Sequence, residues 1–125
     1  MKTIPETVLK AWDEHREGFC ILTTATPEGI PNAIYVGIVG RCKDGFFIAN
    51  NYFNKTKANL EANPHASLLF ITEERKAYQL KGKISFHTEG SVYEAMKAIN
   101  PDKYPGHSAA LLTVESIYSG AEKLM

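Results

Sequence analysis

The sequence predicts a mainly β fold, six antiparallel strands curled into a small barrel with three short helices set between them. Three observations carry this. Tyr78, Leu80, Gly82, Ile84 and Phe86 alternate with Gln79, Lys81, Lys83, Ser85 and His87, the period of a strand with one core face and one wet face. Pro27-Glu28-Gly29 and Lys43-Asp44-Gly45 supply turn chemistry between runs rich in β-branched and aromatic residues. The strands are linked mostly by hairpins, which suits an antiparallel barrel better than a doubly wound sheet, and closing the sheet removes its edges.

Taken in order, Thr7 to His15 sets Val8, Leu9 and Trp12 on one side of a helical wheel with Glu6, Lys10, Asp13 and Glu14 outward. A short amphipathic helix ending at Gly18 is expected. The period then changes: Phe19 to Ala25 reads as the first strand, Pro31 to Val39 as its hairpin partner, and Phe46 to Ala49 as the third strand of a meander. Asn50 to Asn54 is polar and aromatic without a period. Lys55 to Asn63 carries good helix formers, with Ala58 and Ala62 four apart, and Pro64 stops it. Ala66 to Thr72 is a continuous apolar run, which predicts a strand buried on both faces, followed by a solvated turn through Lys76. After the alternating strand, Glu89 to Ile99 spaces Val92, Met96 and Ile99 as a helical stripe closed by Asn100-Pro101, and Ala109 to Tyr118 makes the last strand. No repeat or low-complexity tract divides the chain, so 1–125 reads as one domain, a helix over about 5–16 and a barrel over about 18–120.

Composition narrows the function classes. Fourteen basic and fourteen acidic side chains cancel, which argues against nucleic-acid-coating and membrane-surface proteins, since both need surplus Lys and Arg. The apolar stretches are too short to cross a bilayer, and Met1 to Glu6 lacks a hydrophobic export region, so a cytoplasmic location is expected. Cys20 and Cys42 show no C-x-x-C spacing and read as two ordinary thiols in a reduced compartment. The Asn54-Lys55-Thr56 triplet matches a glycosylation sequon, which is expected to be irrelevant in a cytoplasmic chain.

The familiar nucleotide signals, G-x-G-x-x-G and G-x-x-x-x-G-K-[ST], are missing. His15, His65, His87 and His107 lie on separate elements with no i, i+4 pair, so no metal site is expected; Ser108 has no G-x-S-x-G elbow, which argues against a hydrolase. The segment that stands out is Asn54-Lys55-Thr56-Lys57-Ala58-Asn59-Leu60, a cationic, hydroxyl-bearing helix start. Unpaired N–H groups and the positive end of the helix dipole, joined by a Lys and a Thr hydroxyl, can hold a phosphate monoester. A capped helix with solvated lysines explains the same residues without a ligand.

The hairpin Thr23-Thr24-Ala25-Thr26-Pro27-Glu28-Gly29-Ile30-Pro31-Asn32, the strand Gly45 to Asn50, the run Asn54 to Leu68 with its N-L-x-x-N-P-x-x-S-L pattern, and Gln79-Leu80-Lys81-Gly82-Lys83 follow one another in an order that resembles the pyridoxamine 5'-phosphate oxidase-like family of FMN-binding split barrels. The resemblance runs from about Phe19 to the C-terminus. It implies a six-stranded antiparallel split β-barrel of Greek-key type that forms a homodimer with FMN at the subunit seam. It assigns Lys55 and Thr56 to the FMN phosphate, with Asn54 and Asn59 as helpers. It sets Ile34, Tyr35, Val36 and Gly37 against the isoalloxazine, partly through main-chain groups, where plain strand packing is the other explanation. Tyr52 and Phe53 line the cofactor or anchor the loop. The apolar run Ala109-Ala110-Leu111-Leu112 and the Tyr52-Phe53 loop are read as surface that a dimer hides.

The chain also departs from the family pattern. Ile34 stands where the oxidase has a basic residue, Thr56 stands for the second base of the phosphate pair, and the chain stops at Ser119 to Met125, where the oxidase continues into a substrate-gripping extension. The expectation is therefore a small FMN flavoprotein in electron or hydride transfer that does not oxidise vitamin B6. The alternative is a cofactor-free module, or one for haem or a deazaflavin, on the same barrel.

Overall fold

The alternating stretch forms a strand, β6 (Ala77–His87), with Tyr78, Leu80, Gly82 and Ile84 buried and Lys81, Lys83 and Ser85 outside. In the computed structural model, which describes residues 3–125, it belongs to an eight-stranded antiparallel sheet. Met1 and Lys2, the start of the N-terminal hexapeptide considered above, lie outside the described residues. The other strands are β1 (Cys20–Ala25), β2 (Pro31–Val36), β3 (Val39–Cys42), β4 (Gly45–Asn50), β5 (His65–Ile71), β7 (Ser108–Ser119) and the two-residue β8 (Glu122–Lys123). Their order is β2-β1-β5-β6-β7-β4-β3, with β8 on β7. Because β4 lies beside β7 while β5, β6 and β7 are consecutive, the arrangement is a Greek key.

The mainly β, split-barrel class holds; of the two strands beyond the expected six, one is the short β8 and the other arises from a local break. The expected strand Pro31 to Val39 breaks at Gly37-Ile38: β2 pairs with β1 and β3 with β4. The two ends of the sheet are thus joined by two residues, yet no ladder connects them, and this is where the barrel is split.

Helix α1 (Glu6–Lys10) runs into a wider π-type turn over Ala11–His15, which together cover the expected Thr7 to His15. Trp12 drops from it into the core, 4.8 Å edge-on from Phe46 and 5.1 Å from Phe70, while Phe70 stacks on Tyr78 at 5.1 Å. Burying each such ring stabilises by roughly 1.5–3 kcal/mol. Helix α3 (Ser91–Ile99) buries Val92 and Met96 of its expected stripe, whereas Ile99 is exposed.

That helix bears on a second difference. β5 is expected to be buried on both faces, but only Leu68 and Phe70 are, with Ala66 packed beside them on the core face; Ser67, Leu69 and Ile71 point the other way and are only partly buried. The strand buried throughout is β4: Phe46 and Ile48 enter the main core, and Phe47 and Ala49 meet Val92 and Met96 of α3. Ala109 to Leu112, read above as dimer surface, is likewise buried within the chain, since β7 runs between β6 and β4. No helix among the described residues is long and apolar enough to cross a membrane.

Candidate functional site

A cleft of about 740 Å³ opens at the split. Ile34, Tyr35, Val36 and Gly37 reach it from β2 and its end, and Tyr52 and Phe53 from the loop after β4, so six of the ten candidate residues share one hollow. β2 is an edge strand, paired on one side only, and its other side presents main-chain N–H and C=O groups. At Gly37 a Cβ would come within 2.6 Å of the Phe19 ring, so a side chain there would have to push that open ring aside. The walls are unusually open for large apolar groups: Tyr35 is 76% exposed, Tyr52 72% and Phe19 67%. They form two ring pairs, Phe19 with Tyr35 at 6.5 Å and Tyr52 with Tyr104 at 6.1 Å, both edge to face.

Asn54, Lys55, Thr56 and Asn59 are not on the cleft wall. They lie on helix α2 (Lys55–Ala62) and its N-cap, which follow Phe53 almost directly. Asn54 sits at the N-cap position but makes no side-chain cap, while Lys55 and Lys57 are exposed, as the ligand-free explanation of this segment has them. Lys55 is exposed and Thr56 is 3% exposed, its Oγ1 accepting from Asn32 Nδ2 at 3.2 Å. A hydroxyl that accepts one bond keeps its proton to donate elsewhere. Asn59 Nδ2 donates to Thr24 Oγ1 at 3.1 Å and Asn63 Nδ2 to the Ala25 carbonyl at 3.3 Å; these bonds hold α2 on β1 and fix where its first turn points.

Sequence reading missed Phe19, Asn51 and Tyr104 as cleft residues. Tyr104 arrives on the loop between α3 and β7, which is tied to the Tyr52 loop. Asn51 Nδ2 donates to Asn100 Oδ1 (2.9 Å), Asn100 Nδ2 donates back to Asn51 Oδ1 (3.0 Å), and the Gly106 N–H donates to the same oxygen (2.9 Å). Asn50 adds two bonds, Nδ2 to Ser108 Oγ at 3.1 Å and its carbonyl from the His107 N–H at 2.9 Å. The only signal in the sequence was the Asn50-Asn51 doublet beside two aromatics, and nothing in it pointed across 49 positions to Asn100.

Among the described residues lining the cleft, none is charged; polar groups come from Asn51, three tyrosines and the main chain. Nor does any group of three His, Cys, Asp or Glu gather as a metal site among the described residues. Burial pushes the Cys20 thiol up, against the pull of Arg16, so it stays protonated rather than acting as a nucleophile. A larger hollow, about 890 Å³, lies between Ile4 and Leu9, the β3–β4 turn and β7, and holds none of the candidate residues.

Comparison with known proteins agrees with this architecture. A family model described as pyridoxamine 5'-phosphate oxidase matches residues 6–119. An uncharacterized protein of Methanocaldococcus jannaschii is 30% identical over 105 residues, 78% of this chain and 70% of that one. The pyridoxine/pyridoxamine 5'-phosphate oxidase of Sphingopyxis alaskensis is 35% identical over 65 residues, which cover 51% of this chain and 30% of the enzyme. The Vibrio cholerae protein named heme oxygenase HutZ is 31% identical over 75 residues, 58% of this chain and 42% of that protein. Among solved structures, HupZ of Group A Streptococcus superposes with a TM-score of 0.77 at 22% identity over 94% of both chains. An FMN-binding protein of Syntrophomonas wolfei reaches 0.74 at 16% identity, covering 85% of this chain and 79% of that one. These last two are likenesses of fold. Since the family match runs through nearly every strand of the split barrel and not one motif of it, the chain belongs to the pyridoxamine 5'-phosphate oxidase family.

Proposed function

We propose that this chain is a small cytoplasmic flavoprotein that binds FMN at the split of the barrel and works in electron or hydride transfer, with two copies sharing the cofactor at their seam. The observation that carries the reading is the adjacency of an aromatic cleft to an uncapped, cationic helix start: Phe53 ends the cleft wall and Lys55 opens α2 two residues later. The residues present fit the group. The first-turn N–H groups of α2, the Lys55 ammonium and the Thr56 hydroxyl proton suit a phosphate, while the unpaired edge of β2 from Ile34 to Gly37 suits the polar rim of a flat ring. Asn59 and Asn63 brace the helix, and Asn54 adds its exposed amide at the N-cap. Tyr52 and Phe53 cover the ring from the loop side. Bound flavin supplies the redox chemistry, hydride passing to or from its ring, and the protein binds, orients and shields it. Two free cysteines are consistent with a reducing compartment.

The half-exposed side of β5 and the open Phe19 and Tyr35 rings support the shared seam, because one copy leaves them without cover. A haem module is the second reading, favoured by the likeness to the protein named heme oxygenase. Against it, the described cleft lining offers no His, Cys or Met, and only tyrosine remains as an axial ligand.

The absorbance spectrum of purified protein separates flavin, haem and no cofactor in one scan. Titration of apo-protein with FMN and riboflavin then tests the phosphate contacts. Removing one charge-assisted bond with Lys55→Ala is expected to weaken FMN by ten- to about a hundredfold and riboflavin hardly at all. Equal FMN affinity in parent and variant, or riboflavin binding as tightly as FMN, removes the assignment.

A further inference from the structure

We infer that Tyr52 and Tyr104 form a second subsite at the open end of the cleft, one that stacks an uncharged planar ring compound, and that Tyr104 is the specificity-determining residue. The inference rests on the preceding reading in leaving the β2 wall and Phe53 to the cofactor, with Tyr52 bordering both cofactor and subsite. Two aromatic pairs face this hollow, and the β2 wall uses one of them, Phe19 with Tyr35. The other pair stands on different loops, yet its geometry is held firmly. Tyr104 lies between Asn100 and Gly106, both bonded to the Asn51 amide, and its own N–H donates to the Pro101 carbonyl at 3.0 Å. Gly106 has φ +55°, a conformation glycine tolerates, and a Cβ there would press on Asn100 at 2.9 Å and on the Lys97 ammonium at 3.0 Å, so the loop turns in the space available and no other. Asn51 is therefore a positioning residue for the Tyr104 ring.

Charge decides the class of ligand. With no ionised side chain among the described lining residues, a phosphate ester or carboxylate would shed water without a compensating cation, whereas an uncharged ring loses little and gains ring-to-ring contact. Two cations come close without being part of the lining: Lys103, its Nζ 5.2 Å from the Tyr104 ring centroid, and Arg16, which is engaged with the Gly18 carbonyl at 3.2 Å.

The test is calorimetric titration of FMN-loaded protein with coumarin, which is planar, uncharged and inert to the flavin, and with coumarin-3-carboxylate. Parent protein is expected to bind coumarin more tightly than its carboxylate. Tyr104→Ala should weaken coumarin roughly two- to tenfold, the reading of one aromatic contact, and Tyr104→Phe should restore it. FMN affinity should stay within about twofold in both variants. Asn51→Ala should lose as much coumarin affinity as Tyr104→Ala, with no further loss in the double variant, since the two act through one ring. The inference is overturned by coumarin that fails to saturate the parent, by a preference for the carboxylate that Lys103→Ala abolishes, by Tyr104→Ala leaving coumarin unchanged, or by FMN affinity falling with that of coumarin. A parent that takes up no FMN overturns the flavin reading instead, and the same titrations on cofactor-free protein still read the subsite.

Discussion

Gly82 sits where β6 slips against β7: Lys81 pairs with Ser116 but Gly82 with Val114, so one residue of β7 bulges between them. A Cβ at Gly82 would overlap the Thr113 carbonyl oxygen, a backbone atom in a ladder and not the yielding tip of a side chain. Gly82→Ala is thus expected to destabilise by about 1–3 kcal/mol or more. Gly18→Ala, where an added Cβ meets nothing, should change stability by no more than about 0.5 kcal/mol. Urea midpoints for the two variants check this, and equal midpoints would mean the bulge relaxes. The physical need for a small residue at 82 lies in the bulge, which strand alternation cannot reveal. Thr56 shows the same limit: its place at a helix start was legible, while its bond from Asn32 comes from a strand 24 positions away.

Between elements, the N-terminal helical segment is fastened to β3 by a two-pronged pair, Arg41 Nε and one guanidinium nitrogen donating to the two Asp13 oxygens at 2.8 and 2.7 Å. The Arg41 hydrogen bond holds the Asp13 carboxyl below its ordinary value of 3.8, with burial opposing and the Arg41 and Arg16 charges adding to the pull. A depressed carboxylate contributes stability that is present above its unfolded pKa and is lost as pH falls through the folded one. Both side chains are more than a third exposed, so the contribution stays under about 1 kcal/mol and is screened by salt. Thermal melts of parent and Arg41→Ala should therefore differ modestly at pH 7 and converge below pH 3.8, the gap also narrowing in 1 M salt. A gap that persists in acid would assign the effect to lost packing of the arginine stem. The exchange of burial between β4 and β5 belongs here too: Phe46 to Ala49 and Ala66 to Thr72 both read as apolar runs in sequence, and α3 packs over β4.

For the molecule as a whole, the sheet's two ends meet at Gly37-Ile38 without pairing, and the cleft is the space left by that unmade ladder. The proposed dimer closes over the same region, where Tyr35 and Phe19 stand open beside the uncovered side of β5. Sedimentation at low micromolar concentration is expected to show twice the 13.9 kDa chain mass. Tyr35→Glu, which sets a charge on the open wall, should shift the equilibrium toward monomer and release FMN in parallel. A species of 13.9 kDa that keeps its full flavin complement would rule out a shared site.

Local chemistry was enough to foresee strands from period-two alternation, turns from Pro-Glu-Gly and Asp-Gly, and a helix start at Lys55, because each depends on residues within a few positions of one another. The family resemblance, and not local chemistry, singled out Ile34 to Gly37 and Tyr52-Phe53, six residues that the fold sets on one cleft. Long-range pairing was beyond local chemistry. Which strand lies beneath α3, where β2 parts from β3, and why Asn51 meets Asn100 are settled by the closure of the sheet, an interaction among segments tens of residues apart that leaves no periodic trace in any one of them. The Tyr104 wall follows from that closure, and its aromatic ring was, in the linear chain, simply one more tyrosine in a proline-glycine loop.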